Sequence, residues 1–387
     1  MALKRALRGD IDPFIVMQVM SAAQAREAAG EAILHLEVGQ PGSGAPSTVI
    51  AAAEKALHGD RIGYTTALGI PELRQAIAGH YQRHYGLEVP LRNVIVTTGS
   101  SGGFLLSFLA AFDAGDRVAL ALPCYPAYRN ILTALGVEVV EVPAGAAERY
   151  QPTPELLDKL DGPIHGLIVA SPSNPAGTML SPEAMAGLAG WCRRHDVRLI
   201  SDEIYHGVTY GDVSEVTARA FTNDAVVINS FSKYFSMTGW RLGWMIVPDD
   251  LLETVERLAQ NFFISPPTLS QLAAVAAFDA GGELDGHVKR YAVNRGILRD
   301  ALEHSGFREI APCDGAFYLY ADLAGLDDDS GSFCRRLLAD TGIAATPGLD
   351  FDPKDGHRKV RFSFAGPTAD ITEAAHRIHE WVRKHRL

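Results

Sequence analysis

The chain has 387 residues, 47% apolar and 21% charged, with a formal net charge of −11. A chain of this length is expected to form about two to three domains, and the composition is that of a globular enzyme. The acidic balance argues against a nucleic-acid or anionic-membrane partner, which requires Lys/Arg-rich faces.

Ile15, Val19 and Ala22 have the spacing of a short helix, and Leu36-Glu37-Val38-Gly39-Gln40-Pro41-Gly42 that of a strand breaking into a turn. Residues 1–45 are too few for a domain and are expected to pack on the C-terminal one. Short apolar, β-branched runs follow at Val94–Thr97, Arg117–Leu122, Gly166–Ala170, 198–201, 225–228 and 243–247. Helical patterns lie between them at 101–112, Pro126–Leu135, 182–195 and 251–263. This alternation predicts an α/β fold, with a mostly parallel sheet covered by helices on both faces, as a large domain over 46–285. A long helix at 284–305 then leads into segments at 316–320, 333–341 and 360–364 and a last helix from Thr368. These predict a smaller α+β domain over 286–387.

The apolar stretch 104–112 is too short to span a bilayer and reads as a buried helix. No apolar run follows the first charges, so no signal peptide is expected. Cys124, Cys192, Cys313 and Cys334 share neither metal-ligand nor redox-motif spacing, which predicts a cytoplasmic setting and no metal site. Asp327-Asp328-Asp329 reads as a solvated loop, and the basic residues of 377–386 as the wet side of the last helix.

The residues with chemistry follow the strands, where ligands of such sheets bind. Gly99-Ser100-Ser101-Gly102-Gly103 opens a helix, so uncommitted N–H groups and the helix dipole favour a phosphate there. Asn174 stands in a turn, Ser173-Asn174-Pro175-Ala176-Gly177. Asp202 ends an apolar strand, where a carboxylate needs a positive partner such as a protonated pyridine nitrogen. Tyr205 follows three residues on. Lys233, where the run 225–228 gives out into Ser230-Phe231-Ser232-Lys233, has the setting of a Schiff-base lysine: near apolar surroundings its amine loses a proton and becomes a nucleophile. Arg241 returns across a Thr-Gly turn toward the same phosphate, and Arg361, alternating with apolar residues, suits a carboxylate.

Taken in order, this set resembles the class I/II aminotransferases, the fold-type-I pyridoxal-phosphate family. The specific stretches are Ser201-Asp202-Glu203-Ile204-Tyr205, Ser230–Lys233 with Met237-Thr238-Gly239-Trp240-Arg241, and Tyr64-Thr65-Thr66-Ala67-Leu68-Gly69 followed by Pro71-Glu72-Leu73-Arg74. The resemblance runs from about Phe14 to the C-terminus; its one small departure is Asn-Pro-Ala-Gly where the family has Asn-Pro-Thr-Gly. It implies pyridoxal 5'-phosphate held on Lys233 as an aldimine, and a ping-pong transfer of an amino group from an L-amino acid to a 2-oxo acid. Asp202 would meet the pyridine nitrogen, Tyr205 and Asn174 the 3-oxygen, and Tyr125 the ring face. Ser100, Ser101, Gly102, Ser230, Ser232 and Arg241 would hold the phosphate, and Gly39, Asn174 and Arg361 the substrate. Tyr64 would reach the phosphate of the neighbouring subunit, which implies a homodimer.

Two alternatives share parts of this set. A carbon–sulfur β-lyase of the same fold would use Lys233 and Asp202 but expel a β-substituent. A cofactor-sensing regulator would need a DNA-binding domain, for which there is no room before Phe14. Phe14, Ile15, Tyr64, Tyr125 and Phe263 are expected to wall the side-chain pocket. No second basic residue offers itself to a side-chain carboxylate, which favours neutral or aromatic amino acids over aspartate. The resemblance implies 2-oxoglutarate or pyruvate as acceptor.

Overall fold

The computed structural model describes residues 3–59, 61–211, 213–323 and 325–385. Arg386, counted above with the basic residues of the last helix, lies outside them. The chain opens with a helix, Ile15–Ala28, and a short strand, β1 (Leu34–His35). The helix buries Val16 and Ala23 while Ala22 is exposed, one position on from the expected phase. Ala23 turns inward because it packs on Leu338 and Ala344. The expected strand in 36–42 is displaced as well. β1 pairs in parallel with β10 (Ile343–Ala344) through Leu34 and His35, and the residues after it leave the ladder. Their carbonyls serve side chains instead: Glu37 O accepts from Arg361, and Gly39 O from Lys233.

Seven strands build the main sheet: β2 (Val94–Thr97), β3 (Arg117–Leu122), β4 (Glu138–Pro143), β5 (Gly166–Ala170), β6 (Arg198–Asp202), β7 (Val226–Ser230) and β8 (Gly243–Ile246). Their order is β2-β8-β7-β6-β5-β3-β4. All are parallel except β8, which runs against both β2 and β7. Successive side chains point to opposite faces, and both faces are covered. Ala119, Leu167, Leu199, Val227 and Trp244 enter one core, and their neighbours Leu120, Ile168, Ile200, Ile228 and Met245 enter the other. The sequence missed β4. It is an edge strand reading Glu-Val-Val-Glu-Val-Pro, only Val142 of it is buried, and it forms no continuous apolar run.

The C-terminal part packs the helix Gly281–Ser305 against the last helix, Thr368–His385, beside a three-stranded antiparallel sheet. That sheet contains β9 (Tyr318–Asp322), β11 (Thr346–Pro347) and β12 (Lys359–Ser363), in the order β11-β12-β9. Phe333, Leu337, Phe362, Ile378 and Trp381 fill its core. Asp329 accepts from the N–H groups of Gly331 and Ser332 at 3.2 and 2.8 Å, capping the helix Ser330–Thr341. Asp327 meets Arg336. The acidic run is thus a helix cap with an ion pair beside it. Among the described residues, no helix is long and apolar enough to cross a membrane.

Candidate active site

Parallel strands deliver their following loops to one edge of a sheet. Tyr125 follows β3, Asn174 follows β5, Asp202 ends β6 and Lys233 follows β7. Because β8 is antiparallel, its beginning lies at that edge, and this brings Arg241 back. These residues line a cleft of ≈ 460 Å³ with Ser100, Ser101, Gly39, Tyr205, Ser232 and Arg361.

Lys233 is half-buried, and its Nζ donates to Gly39 O at 2.6 Å. Burial first, then the charges of Arg361 and Arg241, push the amine down to about 8, against the pull of Asp202. Asp202 is buried: Oδ1 accepts from the Ile204 N–H at 3.0 Å and Oδ2 from the Tyr128 hydroxyl. Loss of solvent raises the carboxyl to about 6, although both hydrogen bonds favour the anion. The Tyr205 hydroxyl lies 2.6 Å from that of Tyr318. Tyr125 meets Phe14 edge-on, with ring centroids 5.6 Å apart.

The helix Gly99–Ala111 begins beside Arg241. Gly99 has φ +74°, and a Cβ there would fall 2.7 Å from Arg241 Nη2, so a side chain would fill the space between helix start and guanidinium. Ser100 and Ser101 face the cleft from this turn. Ser230 and Gly102 do not line it: the Ser230 hydroxyl donates to Leu242 O at 3.4 Å and accepts from the Ser232 N–H at 3.0 Å, and Gly102 packs against Thr98.

Arg361 is buried on β12. Its Nη1 donates to Asn174 Oδ1 at 2.8 Å, and its Nη2 to Glu37 O and to Thr346 Oγ1. Phe351 and Tyr318 flank the guanidinium, with ring centroids 4.7 and 4.3 Å from Cζ. Its Nε has no hydrogen-bond partner. Three of the five N–H donors of this buried cation are thus taken, and Nε–H and one N–H of Nη1 are left.

The expected pocket wall is partly corrected. Phe14 and Tyr125 line the cleft; Ile15 and Phe263 do not. Ile15 instead gives its N–H to Asp350 Oδ1 at 2.9 Å, which anchors the first turn of the N-terminal helix. That helix then presents Val16, Met17 and Met20 to the cleft. Tyr64 is 86% exposed. The sequence reading also missed Tyr128 and Tyr318. Tyr128 stands one helical turn after Tyr125, a spacing that was available to read. Tyr318 becomes visible only through the pairing of β9 with β12.

The sequence matches the family described as aminotransferase class I and II over residues 31–378. It is 54% identical over 380 residues to the valine–pyruvate aminotransferase of Mycobacterium tuberculosis, covering 97% of this chain and 98% of that one. The fold superposes on the crystal structure of an aminotransferase from Mycobacterium tuberculosis with TM-score 0.97 and 54% identity, over 99% of this chain and 100% of that one. On the aspartate aminotransferase from Thermus thermophilus with maleate the TM-score is 0.92 at 29% identity, over 98% and 100% of the two chains. The expectations of fold and activity are therefore borne out: the chain is a pyridoxal-phosphate-dependent aminotransferase and belongs to the class I and II family.

Proposed function

We propose that this enzyme transfers the amino group of an aliphatic L-amino acid to a short 2-oxo acid such as pyruvate. One observation carries the reading: among the described residues of this chain the cleft holds three cations, Lys233, Arg241 and Arg361. Each has a task, at the aldehyde, the phosphate and the substrate α-carboxylate, so none remains for a side-chain carboxylate. Phe14, Val16, Met17 and Met20 give the wall an apolar character that suits a branched side chain. The 54% identity to a valine–pyruvate aminotransferase supports the same choice.

The cleft fits pyridoxal phosphate. The cradle at Gly99, with the first-turn N–H groups, Ser100, Ser101 and Arg241, suits a phosphate dianion. Buried Asp202 suits a pyridinium, which would relieve the desolvation of its carboxylate. When bound, the cofactor supplies an aldehyde carbon and a protonated ring that takes up the electron pair left on the substrate α-carbon. Lys233 would hold it covalently, and its Nζ, once free, would take the α-proton as the base. Asp202 would keep the proton on the ring nitrogen, and Tyr205 and Asn174 would meet the 3-oxygen. Tyr125 would cover the ring. Ser232 supports the phosphate seat, and Ser230 and Gly102 shape the backbone behind it. Arg361 orients the substrate through its free Nε edge, aided by Asn174 and Gly39, and so sets which α-carbon bond stands perpendicular to the ring.

In this reading the exposed Tyr64 reaches the phosphate seat of a second copy, and the enzyme works as a homodimer. Residues 46–285 form the cofactor domain and 286–387, with 1–45, the smaller one. Four free, buried cysteines support a cytoplasmic setting.

The test is a half-reaction. The cofactor-loaded enzyme given L-valine alone should release one equivalent of 2-oxo acid per site and stop, and L-aspartate should react at least about a hundredfold more slowly. Equal rates with both would refute the assignment of substrate. Continued release of 2-oxo acid and ammonia from cysteine conjugates would favour the β-lyase.

A further inference from the structure

Tyr318 touches three groups of the site, and the roles assigned above leave it without one. It stands on β9, whose register sets Tyr320 opposite Arg361 and Tyr318 opposite Ser363, so Tyr318 shares the face of Arg361 as its diagonal neighbour. Its ring centroid is 4.3 Å from the guanidinium carbon. Its hydroxyl is 2.6 Å from that of Tyr205. A Cβ on Gly39 would fall 1.6 Å from the same hydroxyl, so the tip of the ring closes into the space that this glycine leaves. The Gly39 carbonyl in turn receives Lys233 Nζ at 2.6 Å. Only 1% of Tyr318 is exposed, so the ring has no solvent to swing into.

The proton count between the two tyrosines decides the direction of their bond. Each hydroxyl has one proton to give. If Tyr205 gives its proton to Tyr318, none is left for the 3-oxygen of the cofactor. We propose that Tyr318 is a positioning residue: its hydroxyl donates to Tyr205, committing the single Tyr205 proton to the cofactor, while its ring holds the Arg361 guanidinium in plane. This rests on the reading of Tyr205 given above. Two O–H groups in series polarise one another, so the outer one strengthens the inner.

The experiment titrates the visible absorption band of the cofactor-loaded enzyme with pH, for wild type, Tyr205→Phe, Tyr318→Phe and the double variant. The charged groups facing the titrating link are Lys233, Asp202, Arg241 and Arg361, and none is altered. A donor to an anionic oxygen favours the deprotonated form, so Tyr205→Phe should raise the midpoint by about one to two pH units. Tyr318→Phe should raise it by about 10–30% of that shift. The double variant should match Tyr205→Phe alone. Because Phe keeps the ring over Arg361, the KM for the amino acid should stay within about twofold, whereas Tyr318→Leu should raise it about three- to tenfold. Gly39→Ala, whose methyl displaces the Tyr318 hydroxyl, gives a second route to the upward shift with both tyrosines intact. A Tyr318→Phe midpoint at the wild-type value, with Tyr205→Phe shifted, overturns the proposal and leaves the Tyr205 reading standing. So does a shift that adds in full to that of Tyr205→Phe. An unshifted Tyr205→Phe overturns both.

Discussion

Asn174 accepts a hydrogen bond from Arg361 Nη1 at 2.8 Å, which ties the loop after β5 to strand β12 across the cleft. The bond takes one donor of Nη1 and leaves Nε without a partner. Asn174→Ala should therefore loosen the arginine and raise the KM for the amino acid about tenfold, the worth of one charge-assisted bond. Arg361→Lys loses the planar fork and should lower kcat/KM by more than about a hundredfold. Steady-state kinetics checks both, and a wild-type KM in either variant contradicts the role.

The burial of Lys233 gives a pH prediction. The nucleophile is the neutral amine, so loading of the apoenzyme with cofactor should speed up as pH rises through the pKa of the amine. Desolvation and the two arginines bring that value down to about 8. The rate of appearance of the covalent absorption band should follow a midpoint near 8. A midpoint near that of a free lysine, about 10.4, would show that the amine is solvated.

Tyr128 donates to Asp202 Oδ2, which favours the anion. Tyr128→Phe removes this donor, so the Asp202 carboxyl should rise further above about 6. At neutral pH a larger fraction is then protonated and unable to pair with the ring nitrogen. Cofactor affinity should fall about tenfold at pH 7 and recover as pH rises. Fluorescence titration at several pH values checks this; an affinity loss independent of pH assigns Tyr128 to packing alone.

Glu215 lies away from the cleft and tests the fold. Its carboxylate accepts from the Gly207 N–H at 2.6 Å and meets His84 Nε2 at 2.7 Å. Desolvation opposes ionisation, but His206, His84 and the Gly207 N–H outweigh it and hold the carboxyl down at about 2. The folded value is below the unfolded one, so the stabilisation is present above the unfolded pKa and is lost as pH falls toward 2. Glu215→Gln should cost about 1–3 kcal/mol at pH 7 and roughly half of that or less at pH 3. Denaturant unfolding at both pH values measures it, and equal costs would contradict the assignment.

Much of the site was readable because its residues sit where strand periodicity breaks. Asp202 interrupts an apolar run, Lys233 follows one, and Gly99 to Gly103 is a glycine-rich turn at a helix start. These are local signals. Tyr318 and the Asn174–Arg361 bond depend on which strands pair and which loops meet, information spread over long sequence separations. β4 was lost because an edge strand alternates and never forms an apolar run. The pocket wall was misplaced at Ile15 because its backbone is taken by Asp350, 335 residues away, which turns Val16, Met17 and Met20 toward substrate.

A chemical trap shows whether Lys233 alone carries the cofactor. Borohydride reduction of the loaded enzyme fixes the lysine–cofactor bond, and peptide mapping then locates the added mass. The mass is expected on the peptide that contains Lys233, and Lys233→Ala should yield no labelled peptide. The mass on any other lysine, or a labelled peptide from Lys233→Ala, would contradict the assignment of Lys233.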